Sequence, residues 1–151
     1  MAYMWDPGLT VGVRPIDAQH KELFQRIEEL LVALRAQKGK EESTRLMDFL
    51  SDYVVQHFGA EEKLMKEHAY PKMAAHLAQH ERFIALFSEL KGELQAKGTT
   101  LSLALRINTE VGNWLREHIL RVDRALAEFL VERSATRTKE GLEPAPQLFR
   151  V

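Results

Sequence analysis

The sequence predicts an all-α protein, an antiparallel up-down-up-down four-helix bundle with an N-terminal arm and a C-terminal tail. Three observations carry this expectation. Apolar residues recur at intervals of three and four through four long segments, the spacing of one buried helix face. Three short breaks, KGK at 38–40, EHAYP at 67–71 and KGTT at 97–100, separate the segments, and connections that short make neighbouring helices antiparallel. The chain has 151 residues, 45% of them hydrophobic, and no cysteine. One domain of that size buries roughly 68–70% of its unfolded surface and needs no disulfide to hold it.

The first seventeen residues carry Pro7, Gly8, Gly12 and Pro15 and read as an ordered arm. Asp17 then offers a helix N-cap. Leu23, Phe24, Ile27, Leu30, Leu31 and Leu34 continue a first helix to about Gln37. Leu46, Phe49, Leu50, Tyr53, Val54, His57, Glu61, Leu64 and Met65 mark a second. Pro71 suits the first position of the third, whose face carries His76, His80, Phe83, Ile84, Phe87, Leu90 and Leu94. The fourth carries Leu105, Val111, Trp114, Leu115, His118, Leu126 and Leu130. Residues 1–133 thus form the bundle with its arm. Residues 134–151 are polar, broken by Gly141, Pro144 and Pro146, and read as a tail, either disordered or partly docked through Leu148 and Phe149. Trp5 reads as a packing residue.

Twenty-one basic and 22 acidic side chains give a net charge of −1. That balance makes no electrostatic case for nucleic acid or an anionic membrane as partner. The absence of cysteine excludes iron–sulfur clusters and thiolate haem ligation. The N-terminus lacks the basic start and apolar run of a signal peptide, and no run approaches the ~18 apolar residues of a membrane span. The expected location is the cytoplasm.

The histidines organise the chain. In an antiparallel hairpin, residues equidistant from the turn sit level. The midpoint of His20 and His57 falls inside KGK, that of Glu61 and His76 inside EHAYP, and that of His80 and His118 inside KGTT. Five imidazoles therefore meet at one height, about 17 residues or ~25 Å from the third turn, near the end of the bundle that carries the second. Glu61 follows His57 by four residues and shares its face. Asp123 follows His118 by five, a rotation of about 140° in an α-helix, and is the poorest geometric fit of the set. His68 sits in the EHAYP break and reads as an exposed turn residue.

Either histidine pair alone is a weak signal, and a single buried histidine is ordinarily a hydrogen-bonded core residue. Five imidazoles and two carboxylates converging in one core are costly without compensation, and metal ions supply it. Seven ligands exceed the four that zinc takes, and magnesium or calcium prefers oxygen. Two transition-metal ions bridged by carboxylates account for the number, although imidazole suits iron, copper, zinc and nickel alike.

The segments GVRPIDAQHKELF (12–24), HFGAEEKLM (57–65), YPKMAAHLAQHERF (70–83) and WLREHILRVD (114–123) resemble the hemerythrin family in its single-domain bacterial form. The pattern H, HxxxE, HxxxH, HxxxxD is complete and in order, and the resemblance covers residues 5 to about 131. It implies two non-haem iron ions bridged by an oxo or hydroxo group. His76, His80 and His118 would bind one iron and His20 and His57 the other, with Glu61 and Asp123 bridging. The second iron would keep one open position, where the family binds dioxygen reversibly; azide, chloride or nitric oxide could take the same position. The resemblance also sets Leu115 and Ile119 beside that position, with Trp114 and Phe58 nearby. For Phe58 ordinary core packing is at least as good a reading. Gln19, Glu22, Glu62 and Glu81 are near enough in sequence to orient the imidazoles.

The function expected is oxygen storage, delivery or sensing without turnover, and no residue is assigned a catalytic role. Ferritin-like di-iron sites use a more anionic ligand set, which favours oxidised, high-valent iron; five neutral imidazoles here favour release. The alternative is a di-iron enzyme with peroxidase, oxidase or nitric-oxide-handling activity, and a third reading is a structural zinc bundle or an interaction module using its tail. The protein partner is unknown; one could read the ligated state through the N-terminal arm or the tail.

Overall fold

In a computed structural model, residues 5–139 are described, with side chains to 135. Four helices account for most of them: α1 (Arg14–Arg35), α2 (Lys40–Glu67), α3 (Met73–Lys97) and α4, an unbroken helix over residues 101–139. α1 packs on α2 and α4, and α3 packs on the same two, which closes the four-helix square expected from the sequence. Among the described residues no helix is long and apolar enough to cross a membrane.

The turns stop the helices by familiar means. At the end of α1 Lys38 N–H donates to the Ala33 carbonyl, and at the end of α2 Tyr70 N–H donates to that of Met65. Both bonds need a left-handed residue inside the turn, supplied by Gln37 (φ 53°) and Ala69 (φ 51°). Gly98 (φ 77°) ends α3. The Thr100 hydroxyl caps α4 by accepting from Leu103 N–H at 3.0 Å.

Several sequence expectations shift. α1 starts at Arg14 and not after Asp17, because Pro15 is tolerated in a first turn. Asp17 instead reaches back, its carboxylate accepting from Val11 and Gly12 N–H at 2.8 and 3.2 Å, and so fastens the arm. The arm itself contains a 3-10 turn, Pro7–Leu9, capped by Asp6. α3 begins at Met73, two residues after Pro71. Phe49, Ile84 and Leu105, assigned to apolar faces, are exposed. His68 is the half-buried C-cap of α2 and not an exposed turn residue. α4 continues to Lys139, past the start of the expected tail at 134. Gly141, Leu148 and Phe149 lie outside the described residues.

Two apolar clusters fill the interior. A large one gathers residues such as Leu23, Phe24, Val54, Phe58, Phe83 and Leu115 from all four helices. A small one contains Val13, Ile16, Met65, Tyr70, Leu126 and Leu130. Every helix passes from one to the other, and every helix changes over at a histidine or a carboxylate.

Candidate metal centre

The changeover is a polar layer. His20 comes from α1, His57 and Glu61 from α2, His76 and His80 from α3, and His118 and Asp123 from α4. All seven side chains are buried, at 0–2% exposure. The apolar clusters above and below keep water from this layer. Hence the charge of its carboxylates must be answered from within it.

The ligand atoms divide into two groups that share both carboxylates. Glu61, His76, His80, His118 and Asp123 form one; His20, His57, Glu61 and Asp123 form the other. Within each group the atoms lie within 4.8 Å of one another. Glu61 Oε1 is 3.3 Å from His76 Nε2 and 3.1 Å from His80 Nε2, while Oε2 is 3.5 Å from His57 Nε2. Asp123 Oδ1 is 3.2 Å from His76 Nε2 and 3.1 Å from His118 Nε2, and Oδ2 is 2.9 Å from His20 Nε2. Each carboxylate thus turns one oxygen to the three-histidine half and one to the two-histidine half.

Asp123 reaches the layer because α4 is not a regular α-helix there. Residues His118–Asp123 form a π-helical turn, with Arg124 N–H donating to the Ile119 carbonyl five residues back. A π turn brings residues five apart onto one face, which removes the 140° misfit of the α-helical count. A second π stretch, Ile107–Val111, lies upstream.

The electrostatics describe a site short of positive charge. Burial lowers His57 to about 3, with the His20 imidazole adding to the effect. Burial also lowers His80 to about 2, with His76 and His118 adding. Glu61 is raised well above the carboxylate range, first by burial and then by the neighbouring Asp123 carboxylate. Burial pushes Asp123 upward too, but the neighbouring imidazoles of His118, His20 and His76 hold it well below its usual range. Two carboxylates this close and this dry do not both ionise without a cation, and neutral imidazoles are the protonation state that binds one.

Hydrogen-bond directions make the same point. The Nε2 atoms of His20, His57 and His118, both Asp123 oxygens and Glu61 Oε2 are buried without a properly directed hydrogen bond, despite separations near 3 Å. Their lone pairs converge on shared space and not on one another. The residues present therefore fit a pair of metal ions.

Around the layer, His57 Nδ1 donates to Gln19 Oε1 at 2.6 Å, and His80 Nδ1 to Glu62 Oε2 at 3.1 Å. Of the four orienting candidates these two serve; Glu22 instead pairs with Arg26. Phe58 stacks on the His80 ring (3.7 Å between centroids, 6° between planes) and half-buried Trp114 on that of His118 (4.4 Å, 13°). Leu115 and Ile119 are buried in the large cluster. The Phe58–His80 stack was available to the turn arithmetic: both are eleven residues from Ala69, inside EHAYP. No comparable signal marked Glu62 over Glu81.

A four-helix bundle whose buried core presents paired imidazole groups joined by two carboxylates is a cation-binding bundle. A profile of the hemerythrin HHE cation binding domain matches residues 11–130. The bacteriohemerythrin of Stenotrophomonas maltophilia is 36% identical over 129 residues, covering 83% of this chain and 79% of that protein. That of Methylococcus capsulatus is 32% identical, covering 78% and 86%. A crystal structure of wild-type hemerythrin superposes with a TM-score of 0.72 at 29% identity, covering 82% of this chain and 93% of that one. The chain belongs to the hemerythrin family.

Proposed function

We propose that the chain is a non-haem di-iron protein that binds dioxygen reversibly, for storage, delivery or sensing. The observation that carries this reading is the asymmetry of the ligand layer: three histidines in one half, two in the other, with Glu61 and Asp123 common to both. His76, His80 and His118 would hold one iron, His20 and His57 the second, and an oxo or hydroxo bridge would complete the pair. On a six-coordinate count the three-histidine half is filled and the two-histidine half has room for one small ligand. Iron would supply there the open position and the reversible electron change that dioxygen binding requires.

The chain's own residues account for binding without consumption. Five neutral imidazoles among seven ligands add little negative charge, which disfavours the oxidised states needed to cleave the ligand. Leu115 and Ile119 are buried and apolar; they would exclude water and offer no proton donor. Gln19 would fix the ring of His57 on the ligand-binding half through the imidazole's second nitrogen. Azide, chloride or nitric oxide would compete for the same place.

The test is a visible spectrum of anaerobically reduced protein before air, after air and after degassing, with iron measured in the same sample. A band that appears with oxygen and disappears on degassing, with two irons per chain, supports the reading. Irreversible oxidation, or turnover with peroxide or nitric oxide, moves the assignment to an enzyme. Zinc at one per chain overturns it.

A further inference from the structure

We infer that the cleft between α3 and α4 at His76 binds a small tetrahedral oxyanion, and that this anion tunes the metal centre from outside the ligand layer. The cleft has a volume of about 210 Å³ and is lined by Tyr70, Lys72, Ala75, His76, Gln79 and Arg121, among others. Three features that attract negative charge meet there.

The first is the start of α3. Met73 N–H donates to the Tyr70 carbonyl at 3.2 Å, and His76 N–H to that of Lys72 at 3.1 Å. Between them Ala74 and Ala75 are exposed, no side chain caps the helix, and its first turn carries no acidic residue. Free N–H groups and the positive end of the helix dipole therefore lie at the cleft. The second is a pair of cations. Exposed Lys72 has no ion-pair partner among the described residues. Arg121 meets Glu117 through Nε at 3.0 Å, which leaves the terminal N–H groups of its guanidinium to other acceptors. Among the described residues no carboxylate lines the cleft.

The third is His76 itself, 2% exposed. Its Nε2 is turned inward, 3.3 Å from Glu61 and 3.2 Å from Asp123. Nδ1 lies on nearly the opposite side of the imidazole, so it points outward, and it has no hydrogen-bond partner among the described residues. A metal ion on Nε2 keeps the ring proton on Nδ1. For His57 and His80 that proton is taken up by Gln19 and Glu62; for His76 no protein group takes it. Water would accept it but would leave the ammonium, the guanidinium and the helix end unanswered. Donors arriving from separate elements suit the four oxygens of a tetrahedral oxyanion better than the two of a carboxylate. Seated there, the anion places negative charge one imidazole away from the metal. It favours the more oxidised pair of ions, and the oxidised protein in turn binds it more tightly. This needs a metal ion on Nε2 of His76 and not dioxygen binding, so it stands or falls apart from that reading.

The test is a calorimetric titration of inorganic phosphate into the metal-loaded chain at fixed pH and ionic strength, with azide present to fill any open metal position. One phosphate per chain is expected. Lys72→Glu sets a carboxylate at the exposed mouth and spares the core. It should weaken phosphate binding at least about tenfold, while metal content and the azide-bound spectrum stay at wild type. Phosphate should also lower the reduction potential of the wild-type centre and leave that of Lys72→Glu unchanged. No saturable binding, or binding that Lys72→Glu leaves intact, overturns the site. Binding that Lys72→Glu removes, with a potential that ignores phosphate, upholds the site and overturns its control of the centre.

Discussion

At the scale of single residues, Gln19 and Glu62 act on the centre without belonging to it. Each accepts a hydrogen bond from the outer nitrogen of an imidazole. That bond fixes which nitrogen keeps its proton, and so leaves Nε2 free to bind. Gln19→Leu removes the acceptor on His57 while keeping similar bulk at a half-buried position. Metal affinity is expected to fall roughly 10–100-fold, seen as faster iron loss to a chelator, with helix content unchanged. Iron retention equal to wild type would show that packing alone orients His57. Trp114→Phe should retain most of the affinity, since a ring still covers His118; Trp114→Ala should not. The metal-ligand candidates themselves were legible in the sequence because identity, order and turn distance are all written there. Their orienting partners were not. Gln19 and Glu81 look equivalent beside a histidine, and only the packing angle between helices decides which side chain meets a ring.

At the scale of elements, the one poor fit in the sequence becomes the most informative segment of the fold. The HxxxxD spacing contradicts an α-helix and agrees with the π turn at His118–Asp123. A π turn is an α-helix with one residue added, so it carries a prediction about length. Deleting exposed Arg121 should let the segment relax to α, with His118 and Asp123 four apart. His57 and Glu61 already place an imidazole and a carboxylate in the layer at that spacing. The deletion is therefore expected to keep metal stoichiometry and the phase of the rest of α4. Inserting Ala after Arg121 sets Asp123 six residues on, about 240° around an α-helix, and should abolish binding with little loss of helicity by circular dichroism. Loss of metal in the deletion variant would mean that the π geometry itself, and not the shared face, is required. Sequence periodicity did not find this turn, because periodicity assumes 3.6 residues per turn throughout. It also misplaced the start of α1, where the Asp17 carboxylate looked like a cap and proved to bind the arm's backbone from inside the helix.

At the scale of the whole molecule, the antiparallel arithmetic worked because three short turns leave the helices no other register, and level residues then meet by necessity. The polar layer that results divides the core in two, and its protonation should govern the stability of the metal-free fold. His57 and His80 are held neutral to about pH 3 and about pH 2, whereas in the unfolded chain they titrate near 6.5. Below pH 6.5 the unfolded state therefore binds up to two protons that the folded state refuses, and stability falls as pH falls. Glu61 acts in the opposite direction. Its raised folded value means that the folded state keeps a proton which the unfolded chain releases above about 4.5, offsetting one of the two. Asp123, held low, adds its loss only below about pH 4. Over the range where both imidazoles refuse a proton, two groups lower stability on acidification against the one carboxyl that opposes them, so stability falls as pH falls from 6.5. Chelator-treated protein should accordingly show a urea midpoint that drops steadily from pH 6.5 to pH 5. Metal-loaded protein should unfold at a higher midpoint at pH 7, since the ion binds the folded state alone, and acid should release its metal before it unfolds. A metal-free midpoint that is flat or rises over this range would mean that water enters the layer and the imidazoles are protonated in place.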